Sequence, residues 1–139
     1  MREILFRGKA KFRPNWVCGW YCGKTLSHDM AATEECSQII DHKTLYWHTV
    51  LPETVGQFTG LTDKNGKKIF EGDICEVCLD PEICVGKVIW DDKIASYNIL
   101  FNDGKCILPL DLWLNRNNPV WISVIGNIHD NPELLEVEA

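Results

Sequence analysis

The stretch Gln57–Val77, QFTGLTDKNGKKIFEGDICEV, leaves this chain the least conformational freedom. Asn65-Gly66 is a dipeptide that tolerates the positive φ angles of a tight hairpin turn. It separates Phe58-Thr59-Gly60-Leu61 from Lys68-Ile69-Phe70, so two antiparallel strands are predicted on either side of it. Glu71-Gly72-Asp73 then reverses the chain into Ile74-Cys75-Glu76-Val77. The apolar–polar alternation there has the period of a strand with one buried face.

Taken in order, the rest reads the same way. Glu3–Arg7 is a first strand, and Lys9 to Asn15, containing Pro14, is a connection. Trp16–Cys22 has the aromatic and β-branched content of a strand, with Gly19 marking a bulge or a close approach. Thr25 to Ser37 is polar and aperiodic, a loop with room for a helical turn over Asp29–Cys36. Gln38–His42 and Leu45–Val50 are strands split by Lys43-Thr44. After Val77 come strands over Cys84–Trp90, Ser96–Phe101, Cys106–Leu108 and Val120–Ile128. The Asn102-Asp103-Gly104-Lys105 segment carries a further hairpin signal. Asn131-Pro132-Glu133-Leu134-Leu135 predicts a short terminal helix, with proline in a first-turn position. This pattern predicts a mainly β protein, with residues 57–139 forming a small SH3-like barrel and residues 1–56 an N-terminal β-hairpin region packed on it.

Composition narrows the function. The 139 residues suit one domain, or a barrel with an appendage. No apolar run approaches the roughly 18 residues of a membrane span, and no signal-peptide core follows Met1, so a cytosolic protein is expected. Fourteen basic against 20 acidic residues give a net charge of −6, which argues against nucleic acid as a general partner. Lys64, Lys67 and Lys68 are read as a solvated hairpin tip.

Chemical motifs are sparse. Seven cysteines in a chain with no secretory signal read as mainly free thiols. Cys75-Glu-Val-Cys78 has zinc-knuckle spacing, and with Cys18 and Cys22 it makes a tetrad. On an extended strand, however, residues three apart point to opposite faces, so no metal site is expected. The histidines His28, His42, His48 and His129 fall in loops, on strands or in turns, without a partnered nucleophile. Asp63, Asp73 and Asp91-Asp92 are read as turn residues, and no phosphate-cradling loop or nucleophile elbow is present. The expectation is a protein without catalytic residues or cofactor.

Six tryptophans are the remaining signal. Trp16 and Trp20 are four apart and share a strand face unless a bulge intervenes, while Trp47, Trp90, Trp113 and Trp121 come from separate segments. Core filling accounts for such residues in small β proteins. Exposed together, they would instead form an interaction surface, for which Trp16, Trp20, Trp47 and Trp90 are the candidates.

Three segments carry a resemblance: Arg2–Arg7, the run Pro52–Ile74 (PETVGQFTGLTDKNGKKIFEGDI), and Val124–Leu135 (VIGNIHDNPELL). Together they resemble the YopX family of small bacteriophage and prophage proteins, across essentially the whole chain. The resemblance implies a mainly β protein containing a barrel, expressed from a phage or prophage and acting in the bacterial cytoplasm. It implies no activity and no site residue. The expected function is a non-catalytic binding or adaptor module that contacts a host or phage protein and forms a homo-oligomer. The alternatives are a binder of a nucleotide-like small molecule and a nucleic-acid-binding barrel.

Overall fold

In a computed structural model of the chain, residues 3–26, 35–78, 82–101, 107–109 and 122–136 are described. They form eleven strands and two 3-10 turns, all strand pairings being antiparallel. The chain divides at Phe58 into two units, Met1–Phe58 and Thr59–Ala139, each with its own apolar cluster.

In the first unit, β1 (Phe6–Lys9), β2 (Trp16–Leu26), β3 (Glu35–Asp41) and β4 (Trp47–Val50) follow one another as neighbours. β5 (Gly56–Thr62) lies on the other side of β1. The N-terminal region is therefore a meander and not a single hairpin. Its sheet curls until the end of β4 returns to the end of β1: Ala10 bridges Val50, Lys11 N–H donates to Thr49 O at 2.9 Å, and Leu51 N–H donates to Lys9 O at 2.9 Å. Inside the curl lie Ala10, Val17, Ile39 and Val50, with Phe6, Tyr21 and Val55 against them. A Cβ on Gly8 would stand 2.9 Å from the Val50 side chain, so the curl closes only over a bare backbone. A Cβ on Gly19 would stand 1.8 Å from Ile40 O, which makes that glycine a close approach. The bulge falls later, where the β2–β3 register shifts between Tyr21 and Lys24.

A 3-10 turn at Pro52–Thr54 leads from β4 into β5, and Thr54 fixes it by donating to Leu51 O at 2.6 Å and accepting from Lys9 N–H at 2.8 Å. The Lys43-Thr44 turn between β3 and β4 is held by Asp41, whose Oδ1 accepts from both of their N–H groups at 2.8 and 3.0 Å. Those two bonds hold its carboxyl below the usual carboxylate range.

In the second unit the end of β5 pairs with β6 (Lys68–Phe70) across the predicted turn, with Gly66 at φ +79°. Then β7 (Asp73–Cys78), β8 (Ile83–Asp91), β9 (Ser96–Phe101), β10 (Ile107–Pro109) and β11 (Ile122–Asn127) form a sheet in the order β10-β9-β8-β7-β11. Ile69, Cys75, Val77, Val88, Ile99, Phe101 and Ile122 make the core. The expected closed SH3-like barrel is corrected here. Among the described residues β6 bonds to β5 and not into the five-stranded sheet, and β10 and β11 are opposite edges of that sheet, so it stays open. The predicted terminal helix is a 3-10 turn, Pro132–Leu135, too short for an α-helical hydrogen-bond ladder. The predicted helical turn over Asp29–Cys36 and the Asn102–Lys105 hairpin fall on or mostly on residues 27–34 and 102–106, outside the described residues.

One carboxylate ties the second unit together. Asp63 Oδ1 accepts from Asn65 N–H at 2.8 Å and Lys67 N–H at 2.9 Å, and its Oδ2 accepts from Val124 N–H of β11 at 2.9 Å. Burial opposes its ionisation, but the three backbone donors outweigh burial and hold its pKa below the usual 3.8.

Gly19→Ala is expected to cost at least roughly 3 kcal/mol, because the backbone itself must move. Gly66→Ala, with no neighbour within 4 Å, should cost only about 1 kcal/mol of left-handed strain. Urea unfolding measures both, and equal losses would contradict the close approach of β2 and β3. Asp63→Ala is expected to lose about 2–4 kcal/mol at neutral pH, because three N–H groups lose a charged acceptor. Because the folded-state pKa is depressed, that advantage is present above pH 3.8 and is lost as pH falls below it towards the folded value. Stability curves of wild type and Asp63→Ala should therefore converge in acid.

Candidate interaction surface

β2 is regular from Trp16 to Tyr21, so its side chains alternate between faces. Val17 and Tyr21 belong to the curled core, which places Trp16, Cys18 and Trp20 on the outer face. Trp20 is paired with Ile40 on β3, and Ile40 with Trp47 on β4. Side chains opposite one another across strands share a face, so Trp20, Ile40 and Trp47 form one row. Two strand spacings put the outer two about 10 Å apart at the backbone. Both tryptophans are open to solvent, Trp20 at 47% and Trp47 at 60% of their full area.

Trp16 stands in the same face, half-buried, with the Arg7 guanidinium 5.0 Å above its ring. That cation–π contact and the burial make Trp16 a support for the face more than a contact surface. Trp90 belongs to the second unit. It is exposed but held, with its Nε1–H donating to Asp92 Oδ1 at 2.6 Å and its ring meeting Tyr97 edge-on at 4.9 Å. The structure thus assembles Trp16, Trp20 and Trp47 on one sheet face of the first unit, while Trp90 in the second unit packs locally with Asp92 and Tyr97. Trp113 and Trp121 lie outside the described residues.

Beside Trp47 the surface is indented. An open groove of about 490 Å³ is lined by Phe12, Arg13, Tyr46, Trp47, His48 and Thr49, with Ala10 beneath. Phe12 and Tyr46 are 81% and 71% exposed, and Lys11 Nζ stands 5.6 Å from the Phe12 ring. The sequence reading missed Phe12, Arg13 and Tyr46. A signal was available for Tyr46, because adjacent residues leading into a strand cannot both face inwards, so Tyr46-Trp47 had to expose a ring.

Charge is divided unevenly. Separated at Phe58, the 14 basic and 20 acidic residues fall as seven and six in the first unit and seven and fourteen in the second, net +1 and −7. Arg7, Lys9, Lys11 and Arg13 follow one another with no carboxylate between them.

No catalytic arrangement accompanies this surface among the described residues. His42 is occupied by the Cys18 carbonyl, 2.8 Å from its Nδ1. Cys75 is wholly buried in the second core while Cys78, three residues along a regular strand, faces the other way. Among the described residues Cys18, Cys22, Cys75, Cys78 and Cys84 form no disulfide, and no group of three or more His, Cys, Asp or Glu converges on a metal position. No helix among the described residues is long and apolar enough to cross a membrane.

The fold and surface define a two-sheet antiparallel β protein presenting an aromatic face flanked by basic residues. The chain belongs to the YopX family: the family model described as YopX protein matches residues 5–136. Among solved structures it is similar to protein EF1440 from Enterococcus faecalis, with a TM-score of 0.53 and 23% sequence identity, covering 98% of this chain and 100% of that one. That likeness is one of fold. No curated protein matches the chain.

Quenching of tryptophan fluorescence by iodide should separate the two kinds of ring. Trp47→Phe is expected to remove a larger quenchable fraction than Trp16→Phe, and the reverse order would contradict the assignment of Trp16 as the covered member of the face.

Proposed function

We propose that this chain is a phage- or prophage-encoded, non-catalytic protein-binding module that works in the bacterial cytoplasm as an adaptor. Its working surface is the outer face of the first unit. The observation that carries this reading is the pair of exposed tryptophans, Trp20 and Trp47, on either side of half-buried Ile40, continued by Tyr46 and Phe12 around the groove. Exposed apolar area of this kind has a cost in water that a partner removes, and tryptophan, tyrosine and arginine are the residues on which binding energy concentrates. Two tryptophans in one cross-strand row present a rigid contact at little cost in side-chain entropy, because the sheet already orders their backbones.

The test is a comparison of variants. Protein captured from host or phage-infected lysate by the wild type should be lost, by roughly tenfold or more, with Trp20→Ala plus Trp47→Ala, as expected when two hot-spot residues are truncated. It should be retained with Trp90→Ala. Capture that is indifferent to the Trp20 and Trp47 changes would place the working surface elsewhere.

A further inference from the structure

We infer that the groove beside β4 receives an extended, acidic segment of the partner protein as an added β-strand. This rests on the protein-binding reading above and names the chemistry of what is bound. The argument begins with main-chain direction. Thr49 O and Leu51 N–H are turned towards β1, where they meet Lys11 N–H and Lys9 O. Along an antiparallel strand, alternate residues direct their backbone groups to the same side. Trp47, two residues before Thr49, therefore turns its N–H and C=O the same way. The chain beyond the seam is no longer a strand: Ala10 N–H donates to Asn15 O, and residues 11–15 run in bends. The seam unzips after Lys11 and Thr49, and the gap it leaves is the groove lined by Phe12, Arg13, Tyr46, Trp47, His48 and Thr49.

An exposed strand edge with side-chain subsites on both flanks is the arrangement by which an extended peptide is recognised. Main-chain bonds supply part of the affinity, and alternate side chains supply the selectivity. Here the groove offers the Phe12, Tyr46 and Trp47 rings together with Arg13, and Lys11 Nζ stands 5.6 Å from the Phe12 ring. A segment alternating Asp or Glu with aromatic or β-branched residues satisfies both. Charge favours an acidic occupant, since the Arg13 guanidinium lines the groove and the Lys11 ammonium stands beside Phe12.

The experiment selects short random peptides displayed on phage particles against the full-length chain. Enriched sequences should alternate acidic with apolar residues and avoid proline in the middle. Synthetic peptides of that kind should bind the wild type, weaken roughly tenfold from low to physiological salt, and weaken at least as much against Lys11→Glu plus Arg13→Glu. They should also slow amide exchange at Trp47. N-methylation of alternate peptide bonds should abolish binding if the methylated edge is the one facing β4, which a purely side-chain contact would not require. Basic or unpatterned selected peptides, or binding that survives both charge reversal and N-methylation in either register, would overturn the inference while leaving the adaptor reading in place. So would partner capture that depends on Trp20 and Trp47 but not on Lys11 and Arg13. Oligothymidylate binding to the same residues, with no peptide selected, would overturn both. Association of the chain with itself through its own acidic segments, with no selected peptide competing, would overturn the claim of a separate partner.

Discussion

The first unit depends on one seam, the Ala10–Val50 bridge that brings the end of β4 back against the end of β1. A four-strand meander laid flat would bury little on either face. Curling it encloses Ala10, Val17, Ile39 and Val50, a cluster of small and β-branched residues that fits a tight radius. The curl has two requirements visible in the backbone: no side chain at Gly8, where Val50 presses in, and a substitute partner for Lys9 N–H where no strand lies opposite. The Thr54 hydroxyl is that substitute. Phe6 and Tyr21 pack against that interior, and the alternation that puts Val17 and Ile39 inwards puts Trp20, Ile40 and Trp47 out. Core and aromatic outer face are two consequences of one register.

In the second unit, Asp63 has the corresponding place. A hairpin turn and a strand sixty-one residues later are usually fixed by separate interactions; here one carboxylate joins them, through Asn65 and Lys67 on one side and Val124 on the other. Lys64 N–H, donating to Ile122 O at 3.1 Å, doubles the link. The turn geometry is therefore coupled to the position of β11, an edge strand with a bulge between Val124 and Gly126 that could otherwise slip in register. Asp73 repeats the device on a smaller scale, its Oδ2 accepting from Phe70 N–H at 2.8 Å to close the β6–β7 reversal.

How much of this the amino acids disclosed follows from the range of each interaction. The Asn65-Gly66 hairpin, the Gly72 reversal, the Trp16 and Trp20 face and the turn roles of Asp63 and Asp73 rest on local rules of two to four residues, and all were legible. The Ser96–Phe101 strand was read to the residue. What was not legible was long-range. Nothing in the spacing says that Val50 returns to Ala10, that β6 bonds to β5 and leaves the second sheet open, or that Lys11 and Thr49 are the last rung before a groove. Phe12 was passed over because a ring in a proline-containing connection has no periodicity to assign it a face, and its meaning comes only from the strand that β4 places beside it.

Whole-chain charge and local charge answer different questions. A net charge of −6 describes a field felt from far away, yet at physiological ionic strength charges are screened beyond about 8 Å. Within that distance a docking segment meets its immediate neighbours, which beside the β4 groove include Arg13 and, next to Phe12, Lys11. A net negative chain can thus carry a locally basic stretch, and the −7 of the second unit does not describe the surroundings of the first. Electrostatics of this short range selects by the sequence of charges along the occupant more than by their total. An extended segment, whose side chains meet the sheet at a fixed spacing of about 3.3 Å per residue, is the kind of partner able to present such a sequence in register.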